Sequence, residues 1–178
     1  MINNTSNTKF FVKFNFLGLL LCLLSCIGVL SYALYLQHYH DLSPCPLCVM
    51  QRYAFVLVAL CCAYALFTRK RRQMMAVFFA MVSAMIGTGI AAYHIWLKAN
   101  PSASCGIDPL ETTLNTIYLA DWLPNIFYAN GLCSAEHAPI LGLFIPQWSL
   151  IWFVSLTSVL LLLLITALEN SRRSLVSP

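Results

Sequence analysis

Long apolar stretches alternate with short polar segments along this chain. Four runs of mostly apolar residues stand out, at about 14–36, 49–67, 74–97 and 148–168, and none contains an acidic residue. A helix that crosses the hydrocarbon core of a bilayer needs about 20 such residues. Continuous runs also favour helices over barrel strands, in which apolar and polar residues alternate with period two. The pattern predicts a single-domain, all-α integral membrane protein built as a bundle of four transmembrane helices.

Composition supports the membrane assignment. Hydrophobic residues make up 60% of the chain and charged residues only 9%, with a mean hydropathy of +0.77. An ordinary soluble domain carries roughly 25% charged residues. A soluble domain is therefore excluded, and the lipid bilayer is the expected environment.

The distribution of basic residues predicts the orientation. Eight of the ten Lys and Arg residues lie on one side of the four runs, namely Lys9, Lys13, Arg69, Lys70, Arg71, Arg72, Arg172 and Arg173. Positive charge is retained on the cytoplasmic side, so both termini are expected in the cytoplasm. The two loops at about 37–48 and 98–147, one short and one long, are then periplasmic. The basic run at 69–72 is a stop-transfer signal, and no nucleic acid is expected as a partner.

The eight cysteines divide by position. Four lie inside the apolar runs, where a thiol acts as a small packing residue: Cys22, Cys26, Cys61 and Cys62. The other four map to the periplasmic loops or their edges: Cys45, Cys48, Cys105 and Cys133. An even number in an oxidising compartment predicts two disulfides, although four cysteines allow three pairings. We expect Cys45 to pair with Cys48, which leaves Cys105 with Cys133; a purely structural staple is the alternative for this second pair.

The sequence Cys45-Pro-Leu-Cys48 favours redox chemistry over a structural role. A disulfide that closes so small a ring constrains little of the unfolded chain, and strained disulfides tend to be the reactive ones. Ser43 and Pro46 are typical of a helix start, so Cys48 is expected near a positive helix end that favours its thiolate. Arg52 lies one turn further on the same face. Arg52 either snorkels towards lipid headgroups or serves the Cys48 thiolate and a membrane-dissolved oxidant.

Other uses of the motif fit less well. Zinc favours paired ligand clusters, but Cys105 and Cys133 are far apart in sequence, so no metal site is expected. Covalent haem attachment needs a histidine directly after the second cysteine, where this chain has Val49. The apolar runs leave no βαβ context for a soluble thioredoxin-like domain. Thiol–disulfide exchange with a membrane acceptor remains, and the location of the motif at a helix start suggests a quinone.

Six motifs resemble those of one family. They are Pro-Cys-Pro-Leu-Cys with Gln51-Arg52, Ala92-Tyr93-His94, Ser104-Cys105, Asp121-Trp122-Leu123-Pro124, Gly131-Leu132-Cys133 and Pro146-Gln147-Trp148. Over nearly its whole length the chain resembles the DsbB family of membrane disulfide-forming proteins. The one departure, Gln51, falls at a position that varies in that family.

The resemblance implies a quinone-dependent protein-disulfide oxidoreductase of the bacterial inner membrane. Such a protein reoxidises a periplasmic DsbA-like thioredoxin-fold oxidase and passes the electrons to ubiquinone or menaquinone. By motif position, the resemblance implies that the partner attacks Cys105 and that Cys133 exchanges with Cys45. Cys48 would then face the quinone with help from Arg52. His94 either contacts the quinone and carries a proton, or is only an interfacial residue.

Two further questions stay open at the level of sequence. Between Cys105 and Cys133, an apolar segment predicts either an amphipathic element on the membrane surface or a small folded core; its residues are Ile117, Tyr118, Leu119, Trp122, Leu123, Ile126 and Phe127. The alternative functions are a paralogue that serves one dedicated partner, and a non-catalytic membrane scaffold with structural disulfides.

Overall fold

A computed structural model of the chain describes residues 3–69, 71–100, 107–131 and 139–176. Its helices are α1 (Asn3–Tyr39), α2 (Pro46–Phe67), α3 (Arg71–Ala99), α4 (Ile107–Asn115), α5 (Tyr118–Trp122), α6 (Pro124–Phe127) and α7 (Ile145–Val176). Helices α1, α2, α3 and α7 each contain a stretch long and apolar enough to cross a membrane. Within these described ranges there is no β-strand, only an isolated bridge between Ile140 and Leu143. The predicted all-α membrane fold is confirmed.

The four long helices pack in an open ring. Helix α2 packs extensively against α3, α3 against α7, and α1 mainly against α2, while α1 and α7 touch far less. A short connection between α2 and α3 makes these two helices antiparallel neighbours. The loose side of the ring therefore lies between α1 and α7.

Small residues line the buried face of α3. They recur every three or four positions, which places them on one side of the helix, and they are Ala76, Ala80, Ala84, Gly87 and Ala91. A Cβ atom built at Gly87 would lie 2.3 Å from the ring of Phe153. That ring stacks on Phe55 of α2 with a centroid distance of 4.0 Å. Small residues at helix interfaces allow such close packing in membranes.

The long loop folds back over the start of α2. A small buried cluster joins Val49 of α2 to Ala120, Phe127 and Ala129 of the loop, and the Phe127 ring stacks on Tyr53 at 4.4 Å. Tyr118 and Trp122 instead remain 83% and 84% exposed. Within this segment α5 presents aromatic side chains outwards, while Phe127 belongs to a small core. Its placement on the membrane surface stays a prediction.

Candidate functional site

The cysteine motif forms the start of α2. Cys45 is the N-cap, with an extended backbone (φ −77°, ψ 163°), and its sulfur accepts a hydrogen bond from the Cys48 backbone N–H at 3.4 Å. Pro46 occupies the first helical position, where the missing N–H costs nothing. The predicted helix start within the motif is confirmed, but the capping residue is Cys45 and not Ser43.

The two sulfurs of the motif lie close to each other but differ in environment. Cys45 Sγ donates to Cys48 Sγ across 3.0 Å, and a disulfide at about 2.05 Å is within reach of a small side-chain rotation. Cys45 is only 3% exposed, whereas Cys48 is partly exposed. The hydrogen bond to Cys48, followed by burial, raises the pKa of Cys45 above its usual range. Both effects disfavour the Cys45 thiolate in the reduced pair.

His94 reaches the same point from α3. Its Nε2 lies 3.8 Å from Cys45 Sγ, and its Nδ1 lies 3.5 Å from the Gln51 side-chain nitrogen. Both His94 and Gln51 are 4% exposed. His94 thus lies inside the bundle against the cysteines and is not a wet residue at a helix end. Because Gln51 engages Nδ1, Nε2 is the ring nitrogen that faces the sulfurs.

Arg52 connects three parts of the chain. Its Nη1 donates to Gln37 Oε1 of α1 and to the backbone carbonyl of Ile126 in the long loop, both at 2.7 Å. The side chain is 7% exposed, so it does not snorkel out of the bundle. Charge-assisted hydrogen bonds of this length are among the stronger ones in proteins, and they fix the guanidinium beside the motif.

A cavity of about 90 Å³ lies between α1, α2, α3 and the start of α7 and is partly open. It exceeds several-fold the roughly 10–15 Å³ that one water molecule needs. Most of its wall is apolar, and its polar lining includes Gln37, Cys45, Cys48, Gln51, Arg52, His94 and Lys98. An apolar pocket with a few convergent polar groups is typical of a small-molecule site.

The long loop is fastened next to the motif. The backbone amides of Asn130 and Gly131 both donate to the Pro44 carbonyl, at 3.2 and 3.1 Å. The Asn115 side chain clamps the preceding residue, Ala129, by its N–H at 2.9 Å and its carbonyl at 2.8 Å. A Cβ at Gly131 would lie 2.2 Å from the Ser43 carbonyl oxygen. Only glycine permits this approach, two residues before Cys133 in the sequence.

The structure therefore brings together Cys45, Cys48, Arg52 and His94. Cys105 and Cys133 lie outside the described residues. Among the cysteines of the apolar runs, Cys22, Cys26 and Cys62 are buried in the core of the bundle and Cys61 packs against it, as expected for packing residues.

The sequence motifs did not single out Gln37 or the Ile126 carbonyl as partners of Arg52. For Gln37 the available signal was a polar side chain at the end of an apolar run. A backbone carbonyl has no sequence signal.

Comparison with known proteins identifies the family. The family model described as disulfide bond formation protein DsbB matches residues 16–163. The chain belongs to the DsbB family. A DsbB-family relative from Herminiimonas arsenicoxydans, named disulfide bond formation protein B, is 49% identical over 78% of this chain and 87% of its own length. Relatives of the same name from Cupriavidus necator and Ralstonia nicotianae are 46% and 44% identical, each over 86% of this chain and 94% of its own length.

Membership of the DsbB family fixes the general function. Together with the four apolar helices, it makes this chain a multi-pass inner-membrane protein that acts as a disulfide oxidoreductase. In the described part of the chain, the cysteine pair at the start of α2 has the redox chemistry that suits this role.

Proposed function

We propose that this DsbB-family protein reoxidises a DsbA-like thioredoxin-fold oxidase in the periplasm and passes the electrons to a membrane quinone, ubiquinone or menaquinone. The observation that carries the proposal is the convergence of Cys45, Cys48, His94 and Arg52 on one cavity at the start of α2. The relatives named disulfide bond formation protein B support the part of the proposal in which a protein thiol is oxidised.

The residues around the cavity fit a quinone. Apolar side chains such as Val29, Leu30 and Phe55 suit a lipophilic ring, and Arg52 supplies N–H donors for a carbonyl oxygen. Both hydrogen bonds of Arg52 to described residues use Nη1. These bonds fix the guanidinium, so Nη2 and Nε have a fixed orientation as well. A quinone bound there supplies an acceptor for two electrons and two protons.

The chain's own thiols carry the exchange. We assign to Cys105 the role of the attacked sulfur: the partner's thiolate bonds to Cys105 Sγ, the Cys105–Cys133 bond breaks and its electron pair leaves on Cys133 Sγ. Attack by the partner's second thiol then completes the partner's disulfide and releases Cys105 as a thiolate. The Cys133 thiolate attacks Cys45 Sγ, so that a Cys45–Cys133 bond forms, the Cys45–Cys48 bond breaks and the electron pair leaves on Cys48 Sγ. Arg52 stabilises that thiolate by its charge. His94, 3.8 Å from Cys45 Sγ, holds or releases a proton as the pair changes state.

The proposal includes an orientation. Both loops lie in the periplasm and both termini in the cytoplasm, because the basic residues cluster on the other side of the spans. The chain then functions as a single membrane domain with its redox centre at the periplasmic surface.

Turnover by the purified full-length protein tests the function. With a short-chain ubiquinone or menaquinone analogue, the protein should oxidise a reduced DsbA-like oxidase and bleach the quinone absorbance in equal amounts. Serine at position 45, 48, 105 or 133 should stop turnover, while Cys61→Ala, a change at a packing thiol, should not.

Normal turnover in all four serine variants would contradict the mechanism. Redox-inert thiols with no change in quinone absorbance would instead identify a scaffold with structural disulfides. Oxidation of one partner among several DsbA-like oxidases would identify a dedicated paralogue.

A further inference from the structure

We infer that Cys45, Cys48 and His94, when the cysteine pair is reduced, form a binding site for a thiophilic divalent cation, Zn²⁺ or Cd²⁺, and that the bound ion arrests the redox cycle. Only the arrest rests on the proposed function. The binding rests on the arrangement of three side chains in the described part of the chain.

The three ligand atoms already lie close together. The two Sγ atoms and a ring nitrogen of His94 are all within 4.8 Å of one another, with 3.0 Å between the sulfurs and 3.8 Å between Cys45 Sγ and Nε2. Zn–S bonds of about 2.3 Å and Zn–N bonds of about 2.0–2.1 Å in a tetrahedral site set ligand atoms roughly 3.4–3.8 Å apart. The sulfurs need to separate by less than about 1 Å to hold the ion.

The donor set and its surroundings favour these cations. Two thiolates and an imidazole are ligands that zinc and related soft ions prefer. Gln51 holds His94 Nδ1 at 3.5 Å, and its amide can present either oxygen or nitrogen to the ring. An outer partner of this kind orients a ligating histidine. The adjoining cavity leaves the fourth position to water.

The charges of the site are compatible with the ion. Both sulfurs bind the ion as thiolates, so any thiol proton still present is released, and the two negative charges of the thiolates offset the two positive charges of the ion. Arg52 and Lys98 also line the cavity and oppose a cation. The Arg52 guanidinium is held by Gln37 and Ile126 through Nη1. Among the buried polar residues described, it is the only one with a permanent positive charge.

The site exists in one redox state. The disulfide form offers no thiolate, so only the reduced pair binds the ion. Once bound, both sulfurs are engaged in metal–thiolate bonds, and neither can attack a disulfide or release its electrons. No bond is oxidised or reduced by the ion, and a chelator that removes it restores the free dithiol.

Equilibrium dialysis of the full-length protein against Zn²⁺ alone or Cd²⁺ alone tests the inference. A Cys105→Ser, Cys133→Ser background removes the other loop thiols. In that background the reduced protein should bind one ion and the oxidised protein none. Cys45→Ser should weaken binding at least 100-fold and His94→Ala at least tenfold, with Cys61→Ala as an unchanged control. In the unsubstituted reduced protein, the ultraviolet absorption of Cd²⁺–thiolate bonds should appear on adding Cd²⁺, which keeps the test independent of variant folding.

The outcomes separate the inference from the function. Equal binding by oxidised and reduced protein, or an unchanged affinity in folded His94→Ala, would overturn the site. Metal-free turnover with no ion bound in the reduced state would leave the proposed function standing and remove this inference. Binding of one ion by a reduced protein that shows no turnover would support this inference and contradict the proposed function. Where both hold, Zn²⁺ should stop turnover and a chelator should restore it.

Discussion

At the level of single residues, Arg52 has the most demanding environment of the site. It is a charged side chain buried among apolar ones, and its two acceptors come from α1 and from the long loop. Removing such a group leaves Gln37 and the Ile126 carbonyl without their donor, which costs about 1–3 kcal/mol for each buried group left unsatisfied.

Under the proposed function, replacing Arg52 should also impair electron transfer to the quinone. We expect Arg52→Gln to lower kcat/KM for quinone by about 10- to 100-fold, because charge-assisted hydrogen bonds are worth about 1.5–3 kcal/mol. Steady-state kinetics with varied quinone measures the effect. Arg72→Gln, a change at an exposed arginine, is the control, and equal kinetics in both variants would contradict the assigned role.

The two cysteines of the motif should differ in reactivity. In the reduced protein we expect iodoacetamide to modify Cys48 first, because Cys45 is 3% exposed and its pKa is raised by the hydrogen bond to Cys48 and by burial. A raised pKa means less thiolate at neutral pH, so modification of Cys45 should keep accelerating above the usual thiol pKa of about 8.5. Peptide mass spectrometry after timed labelling measures this order. Labelling of Cys45 first, with the unfolded protein showing equal rates, would contradict it.

The residues of the site were predictable to different degrees. Cys45, Cys48 and Arg52 follow from spacing alone, because a motif and one helical turn are local features. His94 stood out by the Ala92-Tyr93-His94 motif and by its position near the end of a span, but its contact with Cys45 depends on how α3 packs against α2. Gln37 and the Ile126 carbonyl could not be predicted, because a partner of this kind is chosen by tertiary packing.

At the level of elements, the fastening of the long loop beside Pro44 offers a direct test. Gly131→Ala should push the loop off α2, because the added Cβ would lie 2.2 Å from a backbone oxygen that cannot move aside easily. We expect slower oxidation of the protein partner, with quinone reduction driven by dithiothreitol little changed. Stopped-flow measurements with each donor separate the two steps. Gly28→Ala, with nothing within 4 Å of its Cβ, is the matched control, and an equal loss with both donors would point to misfolding instead.

The buried face of α3 offers a second test. Gly87→Ala should force the Phe153 ring away from Phe55, and overpacking of this kind typically costs 1–3 kcal/mol. Gly89→Ala meets nothing within 4 Å and should be neutral or slightly stabilising, since alanine favours helix. Thermal unfolding in detergent compares the two. A similar midpoint for both variants would mean that the ring can move freely.

The helices, like the residues of the site, could be predicted from the sequence to different degrees. The spanning helices were predictable because bilayer thickness imposes a long apolar run on each of them. Helices α5 and α6, with five and four residues, are too short to show a period. The burial of Phe127 beside exposed Trp122 depends on the meeting of loop and α2, which hydropathy alone does not encode.

At the level of the whole molecule, the basic residues predict one orientation in the membrane. An alkaline phosphatase fusion, which is active only outside the cytoplasm, should be active after Tyr118 in the long loop and inactive after Arg72 between α2 and α3. Enzyme assays on intact cells measure both, with immunoblots as the control for expression. Activity after Arg72 would invert the proposed orientation.

The open ring of helices has a consequence for how an oxidant reaches the cavity. The cavity has wall residues on α1 and at the start of α7, and among the neighbouring helices of the ring these two touch least. A lipophilic oxidant can then arrive sideways from the bilayer without crossing water. Under the proposed function, the local concentration of this oxidant is set by the quinone pool of the membrane, and the rate of thiol oxidation would follow how fast respiration replenishes that pool.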